Sequence, residues 1–306
     1  MKKYILKYVA LFLFVGFIPG VASAANVYFE TARDTVSVGD TFIVSAKIDT
    51  EKTSINSVEG DVFFEGNSGN LIVNDFSLAK SIFSLWPRTP SLSTDGNSIS
   101  FVGGVPGGFN LEKAILFNIV VEARKEGEIK ISPRDIAIYA NDGNGTRVPV
   151  DVSSLKIVVL PKNESIASTN EWTSLVNADK TNPEKFDIVI GKDSTLFEGK
   201  RFAFFTAVDN QSGISYYEVS ENDKPAIRSG SMYVLENQDE SVTPNLVVTA
   251  YDKAGNKTVS VYKNPGILIY GFSLNFFIII AIIIIVWFLF RKIRRNKKNV
   301  QQKQQI

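Results

Sequence analysis

The sequence predicts an all-β fold, in which two successive β-sandwiches are followed by one transmembrane helix. Three observations support this prediction. Short runs of alternating apolar and polar residues fill most of residues 26–264. Clusters of glycine, asparagine and aspartate, which favour turns, separate these runs. One uncharged stretch of 21 residues, 270–290, has the length that an α-helix needs to cross the hydrocarbon layer of a membrane.

The first 25 residues are typical of a secretion signal. Three lysines within the first seven residues precede an apolar run over 8–18, which is too short to span a bilayer. Pro19 and Gly20 then break the run, and small residues follow. We expect the signal to be cleaved between Ala24 and Ala25.

The C-terminal apolar segment predicts a transmembrane helix over 267–290, followed by a basic tail, 291–306. Seven basic residues and no acidic residue lie in this tail. The positive-inside rule therefore places the tail in the cytoplasm and the preceding domains outside a cell membrane that the chain crosses once. The predicted contact with membrane lipid is made by this one helix. The residues expected to anchor it at the membrane interfaces are Tyr270, Trp287, Arg291 and Lys292.

The composition excludes several classes of function. The chain has no cysteine and no histidine, which rules out disulfides, thiolate or imidazole metal sites and histidine-based catalytic triads. Its formal charge of +1 combines basic ends with an acidic middle, and an acidic middle does not suit nucleic acid. We therefore expect no nucleic-acid partner and no cofactor. A secreted part of this size without cysteine favours a bacterial or archaeal surface.

Residues 26–160 predict a two-sheet sandwich of the nine-strand jelly-roll type, because about nine short strands occur there with few helical stretches. In the segment 41–49, for example, every second residue is apolar, so one face of the strand is suited to a core. The predicted strands are 27–30, 41–49, 58–64, 71–76, 99–103, 114–123, 127–131, 136–140 and 155–159.

The first domain contains, in this order, the segments Val38–Phe42, Ile55–Gly60, Ser81–Trp86, Ile99–Val105, Ala114–Val121 and Ala140–Thr146. Taken together, these segments resemble cohesin domains of bacterial surface proteins. The resemblance implies the jelly roll that cohesins share with family-3 carbohydrate-binding modules. It also implies binding through one sheet face, to a dockerin-type module of a secreted enzyme, in assemblies that degrade polysaccharides.

Residues 161–183 are polar and interrupted by prolines, and they predict a linker or a loosely packed connector. Residues 184–264 return to short strands, and six or seven strands in about 80 residues fit an Ig-like β-sandwich. Two similar segments, 207–213 and 250–255, each end a strand with an aspartate followed by glycine, and both predict rigid turns. This domain resembles bacterial Ig-like repeats, which implies a spacer or adhesive role.

Four residues are candidate ligand contacts: Phe83, Trp86, Arg88 and Tyr139. Trp86 lies between an apolar segment and two prolines, and an aromatic side chain on a rigid loop can stack on a sugar ring or anchor a protein interface. The alternative is that Phe83 and Trp86 close the open end of the sandwich.

Two acidic patterns are candidates for chemistry. Asp142 and Asn144 have the first two ligand spacings of a calcium loop, but Ser153 stands where the bidentate acid is required, so a tight hairpin is favoured and no metal site is predicted. Glu59 and Asp61 share a strand face at a separation that a glycosidase uses, although alternating charges on a solvent face give the same pattern.

The leading hypothesis is therefore a non-enzymatic, membrane-anchored cell-surface binding or scaffold protein. Its cohesin-like domain would bind a dockerin-type protein module or a polysaccharide. A broad polar sheet face suits a protein, whereas a flat aromatic platform suits a glycan. Two alternatives stay open: a structural stalk or subunit of a cell-envelope assembly without a soluble ligand, and a hydrolase that uses the two carboxylates named above.

Overall fold

The structure, a computed structural model, describes residues 24–66, 69–165 and 167–262, and the regular secondary structure of these residues is almost entirely β-strand. The all-β prediction is confirmed. Apart from Ala24 and Ala25, the predicted signal lies outside the described residues, as do the predicted membrane span and basic tail; Ala25 begins the first strand. Within the described part of the chain, no helix has the length and apolar character required to cross a membrane.

The first sandwich consists of two sheets. One sheet has five strands in the order β10-β1-β3-β8-β5, and the other has six in the order β2-β11-β9-β4-β7-β6. The strands are β1 (Ala25–Thr31), β2 (Thr35–Ser37), β3 (Thr41–Asp49), β4 (Ile55–Glu65), β5 (Leu71–Ser77), β6 (Leu85–Leu92), β7 (Ser98–Phe109), β8 (Ala114–Ala123), β9 (Gly127–Ala140), β10 (Val150–Val152) and β11 (Leu155–Leu160).

The core of this sandwich lies between the two sheets, because alternate residues of each strand point inward. On β3, Phe42, Val44 and Ile48 are fully buried, as the alternation predicts. Phe101 of the six-stranded sheet meets Phe117 of the five-stranded sheet with ring centroids 4.9 Å apart. Each large apolar side chain buried in this way stabilises the fold by about 1.5–3 kcal/mol.

The prediction of two separate strands over 127–131 and 136–140 is wrong, because β9 runs unbroken through both. The residues between them, which include Pro133 and Asp135, have the chemistry of a turn. They form a bulge opposite Gly60 of β4, and Asp135 takes a φ of 53° there. A bulge admits one unpaired residue without ending the strand, so turn residues do not break the ladder here.

The segment that contains Trp86 is an edge strand, where the sequence predicts a rigid loop. Residues 85–92 form β6, which pairs irregularly with β7 at the end of the six-stranded sheet. Proline has no backbone N–H, so it cannot donate a hydrogen bond to a neighbouring strand. Pro87 and Pro90 are tolerated because an edge strand has a neighbour on one side only.

The segment 161–183, predicted as a linker or loose connector, contains a short helix, α1 (Glu171–Ala178). Asn170 caps its start by accepting a hydrogen bond from Thr173 N at 2.8 Å. The helix packs on β3, where Ile43 N donates to the Glu171 carboxylate and Thr41 N donates to the Thr169 carbonyl. The connector is therefore held against the five-stranded sheet.

The second sandwich also has two sheets, one of three strands (β12-β13-β16) and one of four (β15-β14-β17-β18). Seven strands agree with the six or seven predicted. Phe205, Tyr217 and Val248 lie in its core. The strands are β12 (Ile188–Lys192), β13 (Arg201–Phe205), β14 (Ile214–Glu221), β15 (Ile227–Ser229), β16 (Met232–Val234), β17 (Leu246–Asp252) and β18 (Lys257–Tyr262).

The two sandwiches meet at β5. Ser77 donates its hydroxyl hydrogen to the carbonyl of Ser212 at 2.8 Å, and both residues are buried. The next residue, Gly213, approaches so closely that a Cβ atom there would lie 2.7 Å from Ser77 Oγ. A side chain at this position would force the second sandwich away from the first.

Candidate functional site

The outer face of the six-stranded sheet carries two of the four candidate contact residues. Arg88 on β6 is the register partner of Val102 on β7. Val102 is in turn opposite Glu59 on β4, and Glu59 is opposite Ala137 on β9. Tyr139 projects from β9 on the same face, two residues further along. Four strands thus contribute side chains to one row across this face, although Ala137 itself is buried beneath its neighbours.

Hydrogen bonds between strands fix the polar groups of this face. Tyr139 donates its phenol hydrogen to Glu59 Oε1 at 2.8 Å, and Ser100 donates its hydroxyl hydrogen to Asp61 Oδ1 at 2.6 Å. The hydrogen bond to Glu59 raises the pKa of Tyr139 above its ordinary value, because the carboxylate prefers the protonated phenol. The carboxylates of Glu59 and Asp61 therefore each accept a hydrogen bond from an uncharged hydroxyl group.

The face is charged with both signs and remains open. Arg134 is exposed, and its guanidinium carbon lies 3.7 Å from the ring centroid of Phe63. Arg88 is also exposed. The hydrogen bonds from the connector and the second sandwich reach the opposite sheet, through β3 and β5. The second sandwich also faces the β6 edge, where Trp86 and Thr89 line the cavity between the domains. Within the described residues no hydrogen bond joins β4, β7 or β9 to the connector or the second sandwich, so a partner can approach the middle of the six-stranded sheet.

The other two candidates lie at the end of the sandwich. Phe83 is buried, with its ring against Gly103 and 5.1 Å from the ring of Trp86. Trp86 is half-buried and also meets Phe117 edge-on at 6.4 Å. Phe83 therefore acts in packing. The structure does not place Trp86 and Tyr139 on one surface, so they form no common aromatic platform.

Trp86 lines a cavity of about 730 Å³ between the two sandwiches. The opposite wall comes from the second sandwich. The guanidinium carbon of Arg228 lies 3.6 Å from the ring centroid of Tyr216. The ring of Tyr216 also stacks on the ring of Tyr251, with the two centroids 4.8 Å apart. The cavity thus combines aromatic rings with a guanidinium group and several hydroxyls. Its principal lining residues are Phe83, Trp86, Phe204, Tyr216, Tyr217 and Arg228.

The predicted hairpin at Asp142 is a self-contained turn. Asp142 Oδ1 accepts a hydrogen bond from Asn144 N at 2.9 Å, and its other oxygen accepts one from the Thr146 hydroxyl. These hydrogen bonds lower the pKa of Asp142, with the Thr146 hydroxyl as the largest cause. The residue is exposed and its carboxylate stabilises the loop.

Three buried carboxylates, by contrast, converge at the domain junction. They belong to Asp179 at the end of α1, Asp209 after β13 and Asp252 at the end of β17. Each side chain offers an oxygen, and these oxygens all lie within 4.8 Å of one another. The three residues are 1, 4 and 2% exposed, respectively.

Sequence reasoning missed this cluster, although part of its signal is present. Asp209 and Asp252 are the strand-ending aspartates of the two similar turns, for which the sequence predicts only local hydrogen bonds. Asp179 comes from the connector, 30 residues before Asp209 in the chain. Nothing in the spacing of the three residues indicates that they meet, because the contact depends on how the connector packs against the second sandwich.

The chain was compared with known proteins. No protein-family model matches it, and no curated protein matches it. Among solved structures, it is similar to a cohesin module from a family 33 glycoside hydrolase of Clostridium perfringens, with 15% identity and a TM-score of 0.38 over 46% of this chain and 99% of that one. It is also similar to a non-cellulosomal cohesin from the archaeon Archaeoglobus fulgidus, with 15% identity and a TM-score of 0.37 over 47% of this chain and 96% of that one.

A further similar structure is the cohesin of a type I cohesin–dockerin complex from Clostridium thermocellum, at 11% identity and a TM-score of 0.39 over 45% of this chain and 95% of that one. At these identities and scores the likeness concerns the fold alone. These solved structures are cohesin modules, the family that the first domain resembles in its sequence.

Proposed function

We propose that this protein is a non-enzymatic cell-surface scaffold, which holds a dockerin-type protein module on the outer face of its six-stranded sheet. The observation that carries the proposal is that the middle of this face is free of the connector and the second sandwich, that hydrogen bonds between strands orient its polar side chains, and that it carries charges of both signs. Protein interfaces of standard size use broad surfaces of this kind, in which hydrogen-bonded polar groups surround aromatic and arginine contacts.

Arg88 and Tyr139 are the contacts that we expect to contribute most to binding. Arginine and tyrosine are enriched among the residues that dominate interface energies, because they combine apolar area with directed hydrogen bonds. Tyr139 is pre-oriented by Glu59, so little rotamer freedom is lost when a partner binds. Arg88 is exposed and available to a carboxylate of the partner.

Binding of purified recombinant dockerin modules to the full-length chain in mild detergent tests this proposal. We expect Arg88→Ala and Tyr139→Ala each to weaken binding by about tenfold or more. Arg124→Ala, which removes an exposed arginine just after β8 of the other sheet, is the matched control and leaves affinity unchanged. Equal affinity in all three variants would show that the partner uses another surface.

A second candidate is polysaccharide binding in the cavity between the sandwiches. It is favoured by the half-buried Trp86, since an indole ring on a cavity wall can stack on a sugar and the nearby hydroxyls and Arg228 can donate hydrogen bonds. A glycan array probed with the chain tests it. Loss of a specific signal in Trp86→Ala, but not in Tyr139→Ala, would assign glycan binding to the cavity.

We also propose that the scaffold is anchored in a cell membrane by the apolar segment 267–290, with both sandwiches outside. Protease treatment of intact cells tests this arrangement. We expect the sandwiches to be digested while the basic tail is protected. Sandwiches that survive in intact cells but are digested after lysis would contradict it.

Failure to bind any dockerin or glycan would favour the structural alternative, a stalk within a cell-envelope assembly. Measurable hydrolysis of a glycan by the unmutated chain, abolished in both Glu59→Gln and Asp61→Asn, would instead support the hydrolase hypothesis.

A further inference from the structure

Within the described residues, none of the carboxylates of Asp179, Asp209 and Asp252 forms an ion pair. Lys253 follows Asp252 directly in the chain, yet its ammonium group pairs with Asp75 of the first sandwich. Three carboxylates are therefore buried together without an ion-pair partner from the described protein.

The hydrogen bonds to these residues come from neutral groups. Asp179 accepts from the backbone and the hydroxyl of both Thr181 and Ser212. Asp252 accepts from the backbone and the side-chain amide of Asn256. These bonds orient the carboxylates but bring no charge, and buried charges are normally paired or bound to a metal.

Asp209 gives an independent indication of a ligand. Its Oδ1 accepts hydrogen bonds from the backbone of Gln211, Ser212 and Gly213 at 2.7–3.1 Å. Within the described residues Oδ2 receives none, although Asp209 as a whole is only 4% exposed. This oxygen is not among the fully buried atoms that lack a partner, so it keeps some accessible area through which it can bind an ion. Asp209 also lines the cavity between the sandwiches, which offers a path for an ion from solvent.

We propose that the three carboxylates bind one calcium ion. Calcium takes carboxylate oxygens at 2.3–2.6 Å, so ligands on opposite sides of one ion lie up to about 5 Å apart, which accommodates the 4.8 Å limit found here. A cage made only of protein oxygens is typical of calcium, whereas magnesium usually keeps several waters. Metals that prefer sulfur or imidazole are excluded by a chain without cysteine or histidine.

The ion would join the connector to two turns of the second sandwich, beside the contact between the sandwiches. Ser212, whose hydroxyl and backbone both donate to Asp179, accepts the Ser77 hydrogen bond from the first sandwich through its carbonyl. Calcium would therefore fix the orientation of the two sandwiches. This site does not depend on the proposed scaffold function.

Isothermal titration of the full-length chain with calcium chloride, after removal of metal by EDTA and in mild detergent, tests the proposal. We expect one ion per chain. Asp209→Asn and Asp252→Asn should each weaken binding at least tenfold. Asp142→Asn is the matched control, since it changes an exposed aspartate with the same local turn geometry, and it should keep the full affinity.

A melting experiment keeps the proposal falsifiable if the variants fold poorly. Calcium should raise the melting temperature of the unmutated chain by several degrees, because a ligand of the folded state stabilises it. Absence of calcium binding by the folded, unmutated chain would overturn the proposal. So would wild-type affinity in Asp209→Asn, loss of binding in Asp142→Asn alone, or equal affinity for magnesium.

Discussion

Lys253 Nζ lies 2.6 Å from Asp75 Oδ1 and 2.7 Å from Asp75 Oδ2, so an ion pair joins the second sandwich to β5 of the first. Both side chains are partly buried, at 19 and 36% exposure. The pair stands beside the Ser77–Ser212 hydrogen bond. Together these contacts define how the two domains dock.

The Lys253–Asp75 pair should contribute about 1 kcal/mol to docking, because partial burial limits its screening by solvent. A double-mutant cycle with Lys253→Met and Asp75→Asn, followed by urea unfolding, measures this coupling. The exposed pair Lys156–Glu128 is the control and should give a coupling near zero. A coupling between Lys253 and Asp75 that is no larger than the control would contradict this prediction.

Asp40 should make the attachment of the connector sensitive to acid. Burial raises the pKa of Asp40, but hydrogen bonds from Ser37 and Thr169, together with Arg33, outweigh burial and lower it overall. The stabilising contribution is therefore fully present above the unfolded pKa of about 4 and is lost as pH falls through the lower pKa of the folded state.

Unfolding in urea at pH 7 and at pH 2.5 checks the role of Asp40. Asp40→Asn should cost about 1–2 kcal/mol at pH 7 and much less at pH 2.5. Asp151→Asn, an exposed change on β10, serves as the control. An Asp40→Asn penalty that is the same at both pH values would refute the prediction.

Gly103 should not tolerate a side chain, because a Cβ atom there would lie 2.2 Å from Cδ2 of the buried Phe83 ring. Gly103→Ala should destabilise the first sandwich by about 1–3 kcal/mol, measured by chemical denaturation. Gly230→Ala is the matched control, since no atom lies within 4 Å of its added Cβ. Replacing Phe83 with leucine in the Gly103→Ala background should recover part of the loss; an additive effect would contradict the proposed clash.

Tyr233 should ionise only in strong alkali. Burial and a 3.0 Å hydrogen bond to the Glu221 carboxylate raise its pKa to about 12. Because the folded pKa lies above the unfolded value of about 10, the contribution to stability is complete below pH 10 and is lost as pH rises through 12. The difference between the ultraviolet titrations of the unmutated chain and Tyr233→Phe measures this pKa, and a value near 10 would disprove the prediction.

Much of the strand pattern could be predicted because alternation is a local property. The predicted strands over 41–49 and 114–123 have the bounds of β3 and β8. The errors occur where local chemistry competes with sheet pairing. Because of the prolines at positions 87 and 90, the sequence predicts no strand where β6 lies. Because of the turn residues at 133–135, it predicts two strands where β9 is one. In both cases pairing with a neighbouring strand, through an edge or a bulge, determined the outcome.

The candidate site was predictable only in part. Arg88 and Tyr139 share an open sheet face, whereas Phe83 packs in the core and Trp86 lines a cavity between the domains. Sequence distance could not separate these roles, because Phe83 and Arg88 are only five residues apart. Arg88 lies on β6 and is exposed, whereas Phe83 precedes β6 and packs against Gly103.

By itself, the sequence determined the β class, the succession of two sandwiches and the chemistry that a chain without cysteine and histidine excludes. Periodicity, turn residues and composition are each properties of short segments or of the whole inventory. Only the tertiary structure decided which sheet face is open, how the connector is fixed and that Asp179, Asp209 and Asp252 meet. Those outcomes depend on packing between segments far apart in the chain. Such contacts do not produce a periodic pattern of apolar residues, so the sequence does not reveal them.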